Sequence, residues 1–274
     1  MQGWNGVMLY AYSQEPFTDN RSTSSIYQVY NDPAMMASLP AAALLYRQAH
    51  VTEAKAKYVF EPSKEMLFNQ PLSAANSVAL RTASERGKLM IAMPAVPELP
   101  WLEKSVIPSG AKIIHDPQQS QVPNNASEIV SDSGELRHNW DEGTFTIDTP
   151  QTQAAMGWIG GKTITLADVE LALITKNSVV AVQSLDGNPI GQSRKIIISV
   201  GARSVLKTDN ALPFYSEPVE GRVLIRAPIG LKLSAWDSTT GARRRVTVSY
   251  KDGRYILALD RAIRSSWLVL TAPR

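Results

Sequence analysis

A polar stretch near the middle of the chain contains the residue types of a serine hydrolase. Ser133, His138 and Asp141 lie close together in the sequence, and Ser131 offers a second hydroxyl. A histidine oriented by a carboxylate can activate a serine hydroxyl for attack on an ester. The stretch has no Gly-x-Ser-x-Gly motif, and such triads form in space rather than along the chain. The alternative is a polar loop with ordinary side-chain hydrogen bonds.

Tryptophans in loops would instead indicate contact with sugars. Trp101 follows the run Pro97-Glu98-Leu99-Pro100, where a flat indole could stack on a sugar ring or fill an interface between domains. Trp140 lies among charged residues, and we predict that it is the most exposed of the six tryptophans. The tryptophans that fall within β-rich segments, and are predicted to be buried in the core, are Trp158, Trp236 and Trp267.

The first elements that could position functional residues are a strand and a helix. Residues 7–12 form an apolar run after a glycine, which predicts a buried strand leading into a polar loop. Asp32 can cap a helix whose first residue is Pro33, and apolar residues continue to about Arg47. An apolar strand followed by a helix is typical of a β/α unit in a parallel sheet that is covered on both faces.

The residues of this β/α unit resemble the last strand and helix of a (β/α)8 glycoside hydrolase. The resemblance rests on Gly-Trp-Asn-Gly-Val-Met-Leu-Tyr-Ala-Tyr-Ser from Gly3 and on Asp-Pro-Ala-Met-Met-Ala-Ser-Leu-Pro from Asp32. Two later runs, Ser-Val-Ala-Leu-Arg-Thr-Ala from Ser77 and Phe-Thr-Ile-Asp-Thr-Pro-Gln-Thr-Gln from Phe145, are similar to the C-terminal region of the same enzymes. The nearest match is the clan-A group of large bacterial β-galactosidase-like and cellulase-like enzymes, in which β-sandwich domains follow the barrel.

The resemblance implies a division of roles along such an enzyme. The catalytic acid and nucleophile of clan-A barrels follow the fourth and seventh strands, so both would lie upstream of Met1 in a longer parent chain. The eighth strand usually adds an aromatic platform at its carboxyl end, where barrel active sites form. With the two loop tryptophans included, the predicted sugar-contacting residues are Trp4, Tyr10, Tyr12, Trp101 and Trp140.

Two carboxylates are candidates for catalysis if the chain is active by itself. Glu15 follows the one barrel-like strand, and Glu98 lies beside Trp101 in a loop. A retaining glycosidase needs two carboxyl groups about 5–5.5 Å apart across the scissile bond. The alternative is that Glu15 is a solvated loop carboxylate and that Tyr10 and Tyr12 fill the barrel core.

Composition limits the classes of function. The net charge of +3 is spread evenly and does not indicate nucleic-acid binding; the densest basic run, Arg243-Arg244-Arg245, is typical of a solvated strand end. The chain has no cysteine, so disulfides and thiolate chemistry are excluded. Its three histidines are far apart, and we predict no metal and no cofactor. No apolar run has the length of a membrane span, so no membrane partner is predicted.

The pattern changes along the chain from α/β to β. Strands are predicted at 58–60 and 88–93, the second apolar on both faces, and helices at Lys64–Asn69 and 73–86. Prolines between residues 94 and 108 predict a boundary, which we place between domains 1–109 and 110–274. Beyond residue 143, short β-rich runs at intervals of about 8–12 residues predict an antiparallel sandwich. Asp252-Gly253 is the strongest hairpin signal.

The sequence therefore predicts a mainly β fold, with an antiparallel β-sandwich C-terminal domain preceded by a smaller α/β segment. The predicted function is that of an accessory portion of a glycoside hydrolase acting on β-linked glycans, contributing packing, oligomerisation or carbohydrate contacts. A hydrolase active in its own right, glycosidic or esterolytic, and a stand-alone carbohydrate-binding module are the alternatives. Carbohydrate is the predicted partner. Without neighbouring barrel strands, the N-terminal strand could pair with a second copy of the chain and form a homo-oligomer. The resemblance leaves a periplasmic or secreted location open for the parent enzyme.

Overall fold

The chain forms two compact units. The computed structural model describes residues 1–3, 12–13, 29, 32–69, 73, 76–123, 125–208, 211–237 and 240–273. The first unit comprises Met1–Gly6 and Thr52–Asp141, and the second comprises Val7–Val51 and Glu142–Arg274. The boundary that the sequence placed after residue 109 falls within the first unit. The strand predicted at residues 7–12 lies outside the described residues, except for Tyr12.

The described α-helices all lie between residues 33 and 86. They are α1 (Pro33–Arg47), α2 (Lys64–Asn69) and α3 (Val78–Arg86). Helix α1 begins as predicted, because Oδ1 of Asp32 accepts hydrogen bonds from the amides of Ala34 at 2.9 Å and Met35 at 3.3 Å. Helix α3 begins later than residue 73, because the Ser77 hydroxyl accepts from the amide of Leu80 and so fixes the start of the helix.

The first unit contains a small parallel sheet. Its strands, in the order β2-β1-β3, are β1 (Lys57–Phe60), β2 (Lys88–Ile91) and β3 (Lys112–Ile114). One face packs on α3 through a cluster of Phe60, Ile114, Ala79, Leu80 and Ala83. The prediction that β2 is buried on both faces is wrong: Met90 and Ile91 are exposed, because β2 lies at the edge of the sheet. The same unit contains an antiparallel hairpin of β4 (Glu128–Val130) and β5 (Leu136–Asn139).

The second unit consists mainly of β-strands. In chain order they are β6 (Thr144–Asp148), β7 (Thr152–Gly157), β8 (Thr163–Thr165), β9 (Val169–Leu173), β10 (Ser178–Ser184), β11 (Lys195–Ala202), β12 (Ser204–Thr208), β13 (Ala211–Ser216), β14 (Gly221–Arg226), β15 (Lys232–Trp236), β16 (Arg243–Val246), β17 (Ser249–Lys251), β18 (Arg254–Leu259) and β19 (Trp267–Thr271). A single 3-10 turn, Ile190–Gln192, lies between β10 and β11 among the described residues.

All of these strands except β12 and β13, which form a separate hairpin, make up the predicted antiparallel β-sandwich. The larger sheet of this unit has the order β16-β15-β19-β11-β10-β7-β6, and the smaller sheet has the order β17-β18-β14-β9-β8. Alternate residues of both sheets point into one apolar core, which includes Val182, Ile198 and Leu268 from the larger sheet and Leu171, Val223 and Leu257 from the smaller one. The predicted fold class is therefore confirmed.

The hairpin predicted at Asp252-Gly253 is also confirmed. Asp252 has φ of 51° and Gly253 has φ of 77°, the left-handed conformations that a two-residue turn of this kind requires. Lys251 and Arg254 pair directly on either side of the turn. The single strand predicted at 246–250 is instead divided, because β16 belongs to the larger sheet and β17 to the smaller one.

Helix α1 covers part of the outer face of the larger sheet. The indole Nε1 of Trp267 donates to the carbonyl of Ala37 at 3.0 Å, and Cβ of Ala37 lies over Gly201. Trp267 therefore faces this helix, whereas its neighbour Leu268 points into the sandwich core. Trp267 is partly buried, but it is buried against α1 and not in the sandwich core that was predicted.

A buried chain of polar side chains fixes the end of this helix to the sheet. The side-chain amide of Gln183 donates to the carbonyl of Ala41 at 3.2 Å and to the Thr152 hydroxyl at 3.0 Å. That hydroxyl also forms a hydrogen bond of 2.8 Å with Nδ1 of His50. All three side chains are buried, so each hydrogen bond offsets a desolvation cost.

His50 should make the stability of the protein depend on pH. Burial lowers the pKa of His50 below its ordinary value of 6.5. Below pH 6.5 His50 binds a proton more readily in the unfolded chain than in the folded chain, so protonation favours the unfolded state. We expect the free energy of unfolding to fall as the pH drops below 6.5, by at most about 1.4 kcal/mol per unit, with no contribution from His50 above about pH 7.5.

Urea unfolding at a series of pH values tests this expectation. The His50→Gln variant should lose this part of the pH dependence, whereas His115→Gln, which removes an exposed histidine, should keep it. An unchanged pH profile in His50→Gln would contradict the assignment.

Candidate functional site

The second unit has a groove with a volume of about 600 Å³. It is formed by the start of α1, the end of β7, the turn before β10 and the end of β11. The lining residues are Ala34, Met156, Gly157, Trp158, Lys176, Asn177, Ser178, Val179, Gly201, Ala202, Arg203 and Glu217. We call this feature the Trp158 groove. Its size is that of a small-ligand site, and its wall combines one aromatic ring with several polar groups.

Trp158 is held in place by two glycines. Gly157 ends β7 with φ of 100°, and a Cβ there would lie 2.1 Å from the carbonyl oxygen of Gly143. Gly143 has φ of 61°, and a Cβ there would lie 2.5 Å from Cδ1 of the Trp158 ring. The indole therefore lies against bare backbone, and the Trp158 amide donates to the Gly143 carbonyl at 2.9 Å.

The predicted burial of Trp158 is wrong. The residue is 56% exposed, because β7 ends at Gly157 and Trp158 does not follow the alternation of the strand. Trp236 is also exposed, at the end of β15 near the edge of the larger sheet, so its predicted place in the core is wrong too. A large, flat, exposed ring in a fixed orientation is a surface for stacking rather than for packing the core.

Polar groups lie around this ring. Lys176 and Asn177 are exposed in the turn before β10. Nε of Arg203 lies 3.7 Å from Oε2 of Glu217, and both side chains remain largely exposed. The wall therefore offers ammonium, guanidinium and amide donors together with amide and carboxylate acceptors. This combination suits a ligand with many hydroxyl groups.

The groove does not contain the carboxyl pair of a glycosidase. Glu217 is the only carboxylate among its lining residues in the described part of the chain, and it is paired with Arg203. Glycoside hydrolysis normally requires one carboxyl as acid and a second as nucleophile or base. Among the described residues the groove therefore offers one carboxylate, already paired, where this reaction needs two.

The residues of the predicted serine hydrolase set have other partners. Nδ1 of His138 lies 2.7 Å from Oε2 of Glu85, a residue of α3 that the sequence did not indicate. The Ser131 hydroxyl lies 3.1 Å from that of Ser133 and accepts from the amide of Leu136 at 3.1 Å, which fixes the turn between β4 and β5. Asp141 is exposed. The two serines bond each other and the turn, and Nδ1 of His138 bonds the carboxylate of a helix residue.

The candidates in the proline-rich loop are exposed. Glu98 forms an ion pair with Lys64 at 2.6 Å, and this hydrogen bond lowers the pKa of the carboxyl, which suits an ionised group and not a proton donor at neutral pH.

Trp101 is 74% exposed and Trp140 is 40% exposed, so the prediction that Trp140 is the most exposed tryptophan is wrong. The ring of Trp140 meets that of His138 edge-to-face.

Of the candidates near the N-terminus, only Tyr12 can be placed. It is 45% exposed. Trp4, Tyr10 and Glu15 lie outside the described residues, so their predicted sugar contacts and the predicted catalytic role of Glu15 stay predictions.

A smaller cleft lies in the first unit, at the carboxyl ends of β1 and β3. Its volume is about 370 Å³, and Nδ1 of His115 lies 3.6 Å from Oε2 of Glu61 within it. The sequence showed both residues but not their pairing, because they follow strands that are distant in the chain. The described residues include no group of three or more histidines and carboxylates that could hold a metal ion.

Comparisons with known proteins add no assignment. No family model, no curated protein and no solved structure matches the chain. In the part of the chain that the structure describes, no helix is both long enough and apolar enough to cross a membrane.

Proposed function

We propose that this chain binds β-linked carbohydrate at the Trp158 groove, as a non-catalytic accessory portion of a glycoside hydrolase. The observation that carries the binding proposal is the exposed indole of Trp158, which the close approach of Gly143 holds in one orientation. An immobilised ring stacks on a sugar at little cost in conformational entropy. Lys176, Asn177 and Glu217 are the groups that would bond the sugar hydroxyls.

The enzymatic setting is supported by a different observation. It depends on the resemblance of the segments at Gly3 and Asp32 to the end of a glycoside hydrolase barrel. A stand-alone carbohydrate-binding module would use the same groove, so one binding experiment tests the groove under both hypotheses. A hydrolase active in its own right has less support, because Glu217 is the only carboxylate that lines the groove among the described residues and Nδ1 of His138 bonds Glu85.

Replacement of Trp158 by alanine should abolish most of the affinity for glycan. Removal of a central aromatic contact typically costs tenfold or more in affinity, so we expect at least about a tenfold loss on a soluble β-glucan or β-galactan. Affinity electrophoresis of the purified protein, with the glycan in the gel, measures the dissociation constant for each variant. The fold should be retained, because the ring is exposed.

Trp140→Ala is the matched control, since it removes another exposed tryptophan from the first unit. We expect its affinity to equal that of the original protein. Loss of affinity in Trp140→Ala with none in Trp158→Ala would move the site to the first unit. Robust hydrolysis of aryl glycosides or short-chain aryl esters by the original protein would contradict the non-catalytic role.

A further inference from the structure

A second cleft of the sandwich unit is lined by arginines. It lies where β15 ends and β16 begins, beside the loop that precedes β19, and its volume is about 520 Å³. The lining residues are Ala235, Asp237, Ala242, Arg243, Arg244, Ala262, Ile263, Arg264 and Ser265. Three arginines and one aspartate give this wall an excess of positive charge. We call it the arginine cleft.

The arginines of this cleft have no acidic partner among the described residues, unlike four other arginines of the same unit. Two of those four are Arg254, paired with Glu170 at 3.3 Å, and Arg261, paired with Glu220 at 2.7 Å. Within the described residues no carboxylate forms an ion pair with the three arginines of the cleft, Arg243, Arg244 and Arg264. Their charge is therefore available to a ligand.

Two of these side chains are already oriented. Nη2 of Arg244 donates to the carbonyls of Ala262 at 3.1 Å and Ile263 at 2.6 Å, which leaves its other nitrogens free to donate. The guanidinium of Arg243 lies over the Trp236 ring, 5.1 Å from its centroid. A guanidinium that is held in position loses less rotamer entropy when it binds an anion.

The loop that forms the far wall is also fixed. The Ser265 hydroxyl donates to the backbone of β15 at the carbonyl of Trp236, 2.7 Å away, and Ile263 is buried beneath the loop. Arg264 has φ of 45°, a left-handed conformation that a residue with a side chain adopts only at an energetic cost. Such strain persists only where the surrounding contacts enforce it. The cleft is therefore a formed site and not a chance group of surface charges.

We infer that the arginine cleft binds the carboxylate or sulfate groups of an acidic polysaccharide. Arg243 and Arg245 are two residues apart in one strand, so their Cα atoms lie about 7 Å apart on the same face of β16, and charge is repeated along the sheet edge. Guanidinium groups bind planar carboxylates and sulfates with paired hydrogen bonds. The partly exposed ring of Trp236 would contact the sugar that bears the acid.

A nucleic acid is the less suitable polyanion. Its backbone would require a basic surface that extends well beyond one cleft. The net charge of the chain is only +3, and four other arginines of the unit are paired with carboxylates. The inferred site is separate from the Trp158 groove and does not depend on glycan binding there.

The test compares polygalacturonate with the same polymer after methyl esterification, which removes its charge. In affinity electrophoresis we expect the acidic form alone to retard the protein, with less retardation as salt is added. Arg243→Gln and Arg264→Gln should each weaken this binding about threefold to tenfold. Both side chains are exposed, and circular dichroism and thermal unfolding would confirm that the variants fold.

Arg222→Gln is the control, because it removes an exposed arginine of β14 in the smaller sheet. We expect it to bind polygalacturonate like the original protein, and Trp158→Ala to do the same. Equal retardation by the esterified polymer, an equal loss in Arg222→Gln, or no retardation by polygalacturonate at low salt would each overturn the inference. Tighter binding of a single-stranded DNA oligonucleotide than of polygalacturonate would overturn the assignment to an acidic glycan.

Discussion

Gly157→Ala should lower the free energy of unfolding by about 3 kcal/mol or more and should also remove glycan binding. The left-handed conformation costs an alanine about 1–2 kcal/mol, and displacement of packed neighbours typically adds about 1–3 kcal/mol. Here the new Cβ would lie 2.1 Å from the Gly143 carbonyl oxygen, which is backbone and cannot rotate away. To relieve this clash β6 and β7 would have to move apart, and the Trp158 ring, which lies against Gly143, would move as well. Urea unfolding and affinity electrophoresis measure the two effects.

Gly187→Ala isolates the steric part of this effect. Gly187 has φ of 78°, but no heavy atom lies within 4 Å of the position of its Cβ. Its substitution should therefore cost only the conformational part, about 1–2 kcal/mol, and should leave glycan binding unchanged. If the two alanine variants lost equal stability, the close approach between residues 143 and 157 would be refuted.

Thr152→Val should destabilise the protein by about 2–4 kcal/mol, although the two side chains have nearly the same shape. The substitution removes the hydroxyl that joins His50 to Gln183, and both of these groups are buried. A buried polar group that loses its partner costs about 1–3 kcal/mol. Urea unfolding monitored by circular dichroism gives the difference in free energy at pH 7.5, where the titration of His50 does not contribute.

Thr146→Val is the matched control on the neighbouring strand β6. The Thr146 side chain is only partly buried, and within the described residues its hydroxyl has no hydrogen-bond partner. We expect a change within about 0.5 kcal/mol of zero. A cost in Thr152→Val no larger than in Thr146→Val would show that the buried polar chain does not stabilise α1 on the sheet.

The sequence predicted those parts of the fold that depend on local signals. The Asp32 cap, the Asp252-Gly253 turn and most strands of the sandwich follow from neighbouring residues alone. The hairpin of β12 and β13 was missed, because its strands lie on either side of a short connection without a strong turn motif. Strand β3 was not linked to β1 for a different reason: their parallel pairing joins distant segments.

The candidate site was only partly predictable. The tryptophan at position 158 was noticed, but its place in a β-rich run indicated burial, and the strand ends one residue earlier. The glycines at 143 and 157 were a usable signal, since a glycine before a large aromatic residue often permits a close backbone approach. The pairing of His138 with Glu85 could not be inferred, because a helix residue and a strand residue meet there only through the tertiary fold.

The most direct test of the central claim is a titration with a β-linked oligosaccharide followed through the indole N–H resonances of the tryptophans. We expect the Trp158 resonance, assigned by its loss in Trp158→Ala, to shift saturably with added ligand while those of Trp101 and Trp140 remain in place. A saturable shift confined to Trp101 or Trp140, or no shift at any indole with a glycan that retards the protein, would contradict it.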